Sequence, residues 1–178
     1  MADLPQPLLS EAEVARRVRS LAAEIAPRVD DETVAVCLLT GGLWFAADLT
    51  RALHGLGLSL LFDALWLESY GDARATAGSV RVRAGLQRSV AGRRALLLDE
   101  VIDSGLSLAA ARGLLVEAGA TEVLSAVFAR KPWAEARPIE PDFVAWEAPP
   151  RFLVGYGMDD AGRLRGLPGV SALDEGAG

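Results

Sequence analysis

The sequence predicts an α/β fold in which a mainly parallel, twisted sheet is flanked by helices. Three observations support this prediction. Short, continuous apolar runs at 34–39, 95–98 and 123–129 are typical of strands that are covered on both faces. Segments in which apolar residues recur at helical spacing separate those runs. Glycines follow these segments, where helices commonly end.

The first half of the chain starts with a helix near Glu11, because the capping pattern S-x-x-E occupies 10–13. The run at 34–39 predicts a buried strand, and "TGG" then leads into a second helix, "LWFAADLTRALHGLG". Residues 58–67 predict the next strand. Residues 69–79 are rich in small and polar types and predict a loop.

The second half of the chain continues the alternation of strands and helices. Strands are expected at 80–83, 95–98, 123–129, 143–146 and 152–154. A helix is expected at 106–118, with Gly119 at its end. The last stretch, from Gly166, is rich in glycine and small residues, and we expect it to be frayed.

Length and composition suit one globular domain, since the chain has 178 residues and half of them are hydrophobic. The formal net charge of -6 argues against general binding of a nucleic-acid backbone. No apolar run is long enough for a membrane span, and the N-terminus lacks the pattern of a secretory signal. The single cysteine, Cys37, cannot form an internal disulfide. We therefore expect a cytoplasmic protein with no nucleic-acid or membrane partner.

The segment "LLLDEVIDSGLSL", at 96–108, carries the strongest indication of a ligand site. Three acids follow the apolar run: Asp99, Glu100 and Asp103. Small residues then lead into the helix: Ser104, Gly105 and Ser107. Ligands of open α/β sheets bind beyond the carboxyl ends of the strands, where carboxylates suit hydroxyls or a metal and helix N-terminal amides suit a phosphate. A sugar phosphate that binds Mg²⁺ combines these features, whereas solvated acids and a helix cap at Asp103 are the plainer alternative.

This segment resembles the phosphoribosyl-pyrophosphate (PRPP) signature of type I phosphoribosyltransferases. The wider resemblance is to the hypoxanthine-guanine phosphoribosyltransferases and covers about Leu8 to Pro168. "LLTGG" resembles the family's pyrophosphate loop, "SYG" the start of its mobile loop, "RKP" its purine-selecting lysine segment, and "DFVAWEAPPRFLVGYGMDD" its base- and metal-binding tail. The resemblance implies one domain over 1–178, with a core at about 30–135 and a small hood built from about 1–20 and 136–170.

The resemblance also implies a function, namely transfer of the 5-phosphoribosyl group from PRPP to N9 of hypoxanthine or guanine in purine salvage. The products are IMP or GMP and pyrophosphate, and Mg²⁺ is the implied cofactor. Asp103 matches the catalytic acid or base near purine N7. The residues that match PRPP-binding positions are Asp99, Glu100, Ser104, Gly105, Leu106, Ser107, Gly41, Gly42 and Arg165.

Further positions match the base, the metal and the mobile loop. Purine binding is implied for Lys131, Phe152 and Leu153, because they match the 6-oxo donor, the stacking aromatic and the backbone at the base edge. Ser69 and Tyr70 match the mobile loop. The implied metal ligands are Asp99, Glu100 and Asp159, and Arg163 competes with Arg165 for the pyrophosphate contact.

The sequence departs from the family pattern at several places, including Pro149-Pro150 and Asp160 in the tail, and it leaves alternatives open. The acid pair is Asp99 then Glu100 instead of Glu then Asp, and Thr40 stands where the family usually has Lys or Arg. One alternative is a regulatory nucleotide-binding protein without catalysis, which Thr40 favours. Another is a transferase for a different base, such as xanthine or a pyrimidine, because Lys131 cannot separate purines that share a 6-oxo group. The family implies a homo-oligomer, either a dimer or a tetramer.

Overall fold

The computed structural model describes residues 6–70 and 79–173, without the side chains of residues 69, 70, 79 and 80. The described chain forms three α-helices and one short 3-10 helix. These are α1 (Glu11–Ile25), the 3-10 helix Ala26–Arg28, α2 (Leu43–Gly55) and α3 (Leu106–Glu117). None of the described helices combines the length and the apolar character that a membrane crossing needs.

The strands of the described chain form a large sheet of six strands and a small sheet of three. In chain order they are β1 (Gln6–Leu9), β2 (Val34–Leu39), β3 (Leu61–Tyr70), β4 (Ser79–Ala84), β5 (Arg94–Ile102), β6 (Glu122–Arg130), β7 (Phe143–Glu147), β8 (Phe152–Val154) and β9 (Val170–Leu173). The large sheet has the order β4-β3-β2-β5-β6-β7, and only the β3–β4 pair is antiparallel. The predicted mainly parallel α/β fold is confirmed.

The strand order places a crevice at the carboxyl ends of β2 and β5. From β2 the chain continues outward to β3 on one side, while β5 lies on the other side of β2. Ligands of open α/β sheets bind at such a reversal of strand order. The pairing of β2 with β5 ends at Cys37 and Leu98, so the two strands separate beyond this point. The crevice therefore opens next to the acids that follow Leu98.

Apolar layers cover both faces of the large sheet. The largest fully buried side chains under α1 and α2 include Leu21, Ile25, Phe45, Leu49, Leu53 and Phe128. The largest under α3 are Leu97, Leu108 and Leu115. Burial of each such side chain stabilises the fold by about 1.5–3 kcal/mol. The strand ends that carry the acids thus project from a well-packed layer.

The predicted start of the first helix, α1, is confirmed by its local contacts. Ser10 Oγ accepts the N–H of Glu13 at 3.3 Å, and the Glu13 carboxylate accepts the N–H of Ser10 at 2.8 Å. These hydrogen bonds from Ser10 lower the pKa of Glu13. The reciprocal pair satisfies two amides that the first helical turn leaves without partners, so α1 begins at Glu11.

The predictions for β3 and for the loop after it are wrong at their boundaries. β3 begins at Leu61, three residues later than predicted, and it continues to Tyr70. Ser69 and Tyr70, predicted in a loop, are extended because β4 supplies an antiparallel partner that pairs them with Val80 and Ser79. The rest of the predicted loop, 71–78, lies outside the described residues.

The prediction that a strand ends at Leu98 is also wrong. β5 runs on to Ile102 because β6 continues beside it, pairing Asp99 with Val127 and Ile102 with Arg130. Asp99 and Glu100 therefore belong to the strand, and only Asp103 follows it. The pairing with β6 therefore places the two acids on strand backbone instead of on a turn.

The predicted fraying from Gly166 is wrong for the described part of the tail. β9 lies between β1 and β8, pairs antiparallel with both, and buries Val170 and Ala172. Its partner β1 lies at the other end of the chain, with Gln6 opposite Ala172. The chain ends thus form the small sheet, while β7 joins the large one. The division into a core and a hood stays a prediction.

Candidate active site

The acid pair, defined as Asp99 and Glu100, lies against the turn that follows β2. Both residues are half-buried. The carboxylate of Glu100 lies so close to Gly41 that a Cβ added there would be 1.7 Å from its Oε1. A Cβ at Gly42 would be 2.6 Å from the carbonyl oxygen of Leu38. Gly41 and Gly42, the glycine turn, leave room for this close approach, and the backbone contact at Gly42 makes glycine necessary there.

The electrostatics of the acid pair favour a cation. The surrounding protein raises the pKa of Asp99 well above its ordinary value by removing water, and the neighbouring Glu100 carboxylate adds to the effect. Within 6–70 and 79–173, neither carboxylate forms an ion pair with Lys or Arg. Burial and the same two acids raise the pKa of Cys37 to about 12, which disfavours the reactive thiolate form.

Gly157 brings the tail segment onto the glycine turn. Its φ is 97°, and a Cβ there would be 2.1 Å from the carbonyl oxygen of Gly41 and 3.6 Å from Cβ of Glu100. Tyr156, which precedes it, is buried and donates its hydroxyl to Asp48 in α2 at 3.1 Å. Burial raises the pKa of this phenol, and the charge of Asp48 contributes. The tail is thus anchored beside the acid pair.

Asp159 and Arg165 form a separate ion pair in this tail. Arg165 Nη2 lies 2.6 Å from Asp159 Oδ1, and Arg165 Nη1 donates to the carbonyl oxygen of Gly157 at 2.5 Å. Arg163 is exposed, and its backbone pairs with Asp160. The contacts therefore favour Arg165 over Arg163 as the arginine next to the glycine turn.

The predicted metal ligands do not converge as a set of three. No group of three or more His, Cys, Asp or Glu side chains able to hold a metal occurs in the part of the chain that the structure describes. Asp159 is engaged by Arg165 and also accepts the N–H of Gly162 at 2.6 Å. Asp99 and Glu100 remain together as two adjacent carboxylates.

Asp103 and Lys131 meet at the ends of β5 and β6. Lys131 Nζ lies 3.1 Å from Asp103 Oδ1, and the backbone N–H of Lys131 donates to the carbonyl oxygen of Ile102 at 3.1 Å. The Asp103 side chain is 48% exposed and that of Lys131 is 21% exposed. The Asp103 carboxylate is therefore accessible to a ligand, while the cation of Lys131 is partly shielded.

The start of α3 provides a cradle for an anion. Gly105 takes the N-cap position with a φ of 80° and has no side chain of its own to cap the helix. The first amides of a helix lack partners within the helix and attract anions. Ser104 Oγ lies 3.4 Å from the N–H of Leu106, and Ser107 follows in the first turn. The acid pair and this helix start are joined directly through 101–103.

The remaining predicted residues lie in other elements. Phe152 begins β8 and is 45% exposed, whereas Leu153 is buried and its strand pairs with β9. Ser69 and Tyr70 end β3. Their side chains lie outside the described residues, so their prediction as loop residues over the site rests on the resemblance alone.

Two features of the site escaped the sequence analysis. Gly157 is essential to the close approach of the tail, and its only signal is the pattern G-x-G in "VGYGMDD". Arg137 donates from its guanidinium to the carbonyl oxygens of Asp103 and Lys131. An arginine in the proline-containing loop "KPWAEARPIEPD" carries no periodic signal that could have predicted these contacts.

Comparisons with known proteins show the family of the chain. The family model for a phosphoribosyl transferase domain matches residues 7–161. The hypoxanthine-guanine phosphoribosyltransferase of Bacillus subtilis (strain 168) is 34% identical over 172 residues, which are 96% of this chain and 94% of that protein. The enzyme of the same name from Aquifex aeolicus (strain VF5) is 31% identical over 170 residues, with 94% of each chain covered.

Solved structures show the same fold. A hypoxanthine-guanine phosphoribosyltransferase from Bacillus anthracis superposes with a TM-score of 0.86 at 27% identity, covering 97% of this chain and all of that one (100%). A hypoxanthine phosphoribosyltransferase from Staphylococcus aureus gives a TM-score of 0.87 at 24% identity, covering 97% and 92%. Sequence and fold agree, and the chain belongs to the hypoxanthine-guanine family of type I phosphoribosyltransferases.

Proposed function

We propose that the protein is a purine salvage enzyme that transfers the 5-phosphoribosyl group from PRPP to N9 of hypoxanthine or guanine. The observation that carries this proposal is the acid pair, which has no cation partner among the described residues and lies between the glycine turn and the start of α3. The acid pair would bind hydroxyls, the glycine turn would bind a pyrophosphate, and the start of α3 would bind a terminal phosphate. PRPP carries all of them.

The sugar-phosphate side of the site would act by binding and by electrostatics. Asp99 and Glu100 would accept the ribose hydroxyls and stabilise positive charge on C1′ as its bond to pyrophosphate breaks. The glycine turn and Arg165 would receive the leaving pyrophosphate. The amides and hydroxyls of 104–107 would hold the 5-phosphate. Charge developing on both fragments is then matched by fixed groups of the opposite sign.

The base side would select and deprotonate the purine. Lys131 is a cationic donor, so it suits a 6-oxo group and disfavours the 6-amino group of adenine, which is itself a donor. Asp103 would take up the proton that the purine loses as N9 bonds to C1′, acting near N7. Phe152 would stack on the base, and the Leu153 backbone would contact its edge. The half-exposed state of Phe152 leaves a ring face available.

Mg²⁺ is the cofactor that the family implies, and the chemistry of the acid pair fits it. Mg²⁺ in phosphate-transfer sites is commonly held by one or two carboxylates together with substrate oxygens. Asp99 and Glu100 provide two adjacent carboxylates without a cationic partner in the described chain. Asp159 would join as a further ligand only if its ion pair with Arg165 opened. Bound there, the metal would neutralise charge on the leaving pyrophosphate.

Other family features stay proposals. We propose that the segment starting at Ser69 and Tyr70 closes over the bound substrates to exclude water, and that the small sheet forms a hood over the base side. We further propose that the protein acts in the cytoplasm as a homo-oligomer, either a dimer or a tetramer. The support for these statements is membership of the family.

A direct assay tests the proposed function. The protein is incubated with PRPP, Mg²⁺ and each of hypoxanthine, guanine, xanthine and adenine, and the nucleotide and pyrophosphate formed are measured. We expect equimolar products with hypoxanthine or guanine and little with adenine. Binding of PRPP without turnover of any base would contradict the proposal and favour a regulatory protein. Turnover of xanthine alone would contradict the proposed base preference.

A further inference from the structure

We propose that Arg137 is a positioning residue that holds Asp103 and Lys131 at the spacing needed to read a 6-oxopurine. The inference rests on the proposed function and extends it to a residue whose guanidinium is engaged by the backbones of Asp103 and Lys131. We name the group Asp103, Lys131 and Arg137 the base clamp.

The guanidinium of Arg137 joins the backbones of the two base-side residues. Arg137 Nε donates to the carbonyl oxygen of Asp103 at 2.6 Å, and Nη2 donates to the carbonyl oxygen of Lys131. The Arg137 side chain is only 8% exposed. Hydrogen bonds from a charged, shielded donor to a backbone carbonyl are stronger than neutral ones, so they fix both carbonyls relative to one plane.

The two residues that Arg137 bridges come from different strands. Asp103 follows β5 and Lys131 follows β6, and they contact each other through the Lys131 Nζ to Asp103 Oδ1 pair at 3.1 Å. A purine that binds Lys131 and Asp103 must weaken this direct pair, since the ligand competes for the same polar atoms. Arg137 acts on the carbonyls instead, so its restraint persists when the side chains turn to the base.

A network of ion pairs holds Arg137 itself in place. Arg137 Nη1 lies 3.1 Å from Glu140 Oε1, and Glu140 also pairs with Arg130 at 3.4 Å. Arg130 in turn pairs with Glu147 at the end of β7 at 2.5 Å. The base clamp is thereby attached to the rigid ends of β6 and β7.

The aliphatic part of Arg137 lies close to Gly105 at the start of α3, and the test must preserve this packing. A Cβ added at Gly105 would be 3.5 Å from both Cβ and Cδ of Arg137. Methionine keeps a chain of similar length against Gly105 but lacks every donor. Arg137→Met therefore removes the clamp and leaves the packing at the start of α3. Arg112→Met, at an exposed position of α3, is the matched control.

Steady-state kinetics of the full chain test the clamp. For Arg137→Met we expect the KM for hypoxanthine or guanine to rise about 10-fold or more, with the KM for PRPP within about twofold of the wild type. Discrimination against adenine should fall as well. Arg137→Lys should recover part of the loss, because it restores one charged donor but not the fork. Arg112→Met should match the wild type.

Two results would overturn the clamp while leaving the proposed function intact. One is unchanged base KM in Arg137→Met, and the other is an equal rise of both KM values, which indicates general loss of structure. A wild type without transfer activity counts against the proposed function instead. The clamp is then judged by ¹⁵N NMR of the full chain, where the Arg137 Nε–H should exchange with water much more slowly than that of Arg112. Equal exchange rates would refute it.

Discussion

The two halves of the site deal with charge in opposite ways. On the sugar-phosphate side, Asp99 and Glu100 lie together without a cationic partner in the described chain, and backbone glycines surround them. On the base side, Asp103 is already paired with Lys131, and Arg137 fixes both backbones. Under the proposed function, the first half would be completed by PRPP and Mg²⁺, whereas the second is already organised without a ligand.

This difference follows from what each half has to bind. A sugar pyrophosphate with Mg²⁺ brings both cation and anion, so carboxylates without a cationic partner in the described chain and the start of a helix are useful there. A purine is neutral and must be recognised by the direction of its donors and acceptors, which needs fixed geometry. Four predictions test the contrast, from the largest expected effect to the smallest.

The largest effect is expected for Asp103→Asn on the base side. Asparagine keeps the size of the side chain but cannot take up a proton, so turnover should fall about 100-fold or more. The free energy of unfolding should change little, because Asp103 is exposed. Turnover with hypoxanthine and denaturant unfolding measure the two quantities. Unchanged turnover would remove Asp103 from the chemistry.

Asp99→Asn on the sugar-phosphate side should raise the KM for PRPP about 10-fold or more and also stabilise the free protein. The pKa of Asp99 is raised in the folded state, so the folded protein binds this proton more tightly than the unfolded chain. Wild-type stability is therefore lost as pH rises from about 4, the ordinary value for Asp, through the raised folded-state pKa. Asn cannot ionise and removes this loss.

Denaturant unfolding at pH 5 and pH 8 checks the sign of that effect. The stability gain of Asp99→Asn over the wild type should be larger at pH 8. Asp160→Asn makes the same change at an exposed position and should shift stability little. A stability gain that is larger at pH 5, or a loss of stability at both pH values, would show that the ionised Asp99 carboxylate does not destabilise the folded protein.

Gly157→Ala should destabilise the protein by about 1–3 kcal/mol and raise the KM for PRPP. The added methyl would meet the carbonyl oxygen of Gly41 at 2.1 Å. Gly162→Ala is the control, since Gly162 has a similar positive φ of 80° but open space around it. Thermal and denaturant unfolding should show a clearly larger loss for Gly157→Ala. Equal losses of stability in the two variants would mean that the positive φ alone, and not the close approach to Gly41, explains the need for glycine at 157.

Thr40→Lys should have the smallest effect, a decrease of a few-fold in the KM for PRPP. Thr40 is exposed beside the glycine turn, so a lysine there would add a positive charge near the pyrophosphate. The gain should shrink as salt is raised, because exposed charges are screened. Thr121→Lys, an exposed threonine that precedes β6 at the opposite edge of the sheet, should leave this KM unchanged.

Local signals in the sequence were enough to predict the sheet class and most of the elements. Capping at Ser10 and the apolar runs of β2 and β6 act within a few residues, and the structure follows them closely. β9 could not be predicted, because four residues near the end of the chain are ordered by β1 at its start. The extension of β5 through Asp99 likewise depends on β6 as a neighbour.

The same distinction applies to the site. The residues between Asp99 and Ser107 are contiguous, so their proximity was predictable from one segment. Arg137 could not be predicted, because its contacts are to backbone carbonyls that any residue type would offer. Asp159 was predicted as a metal ligand from the resemblance, yet the structure pairs it with Arg165. Contacts of this kind have no sequence period to reveal them.

The central claim is that the acid pair binds PRPP together with Mg²⁺, and calorimetric titration tests it most directly. PRPP is titrated into the wild type and into Asp99→Asn/Glu100→Gln, with and without Mg²⁺ and with no base present. We predict that the wild type binds PRPP more tightly when Mg²⁺ is added and that the double substitution abolishes this gain. A gain of the same size in both proteins would contradict the account.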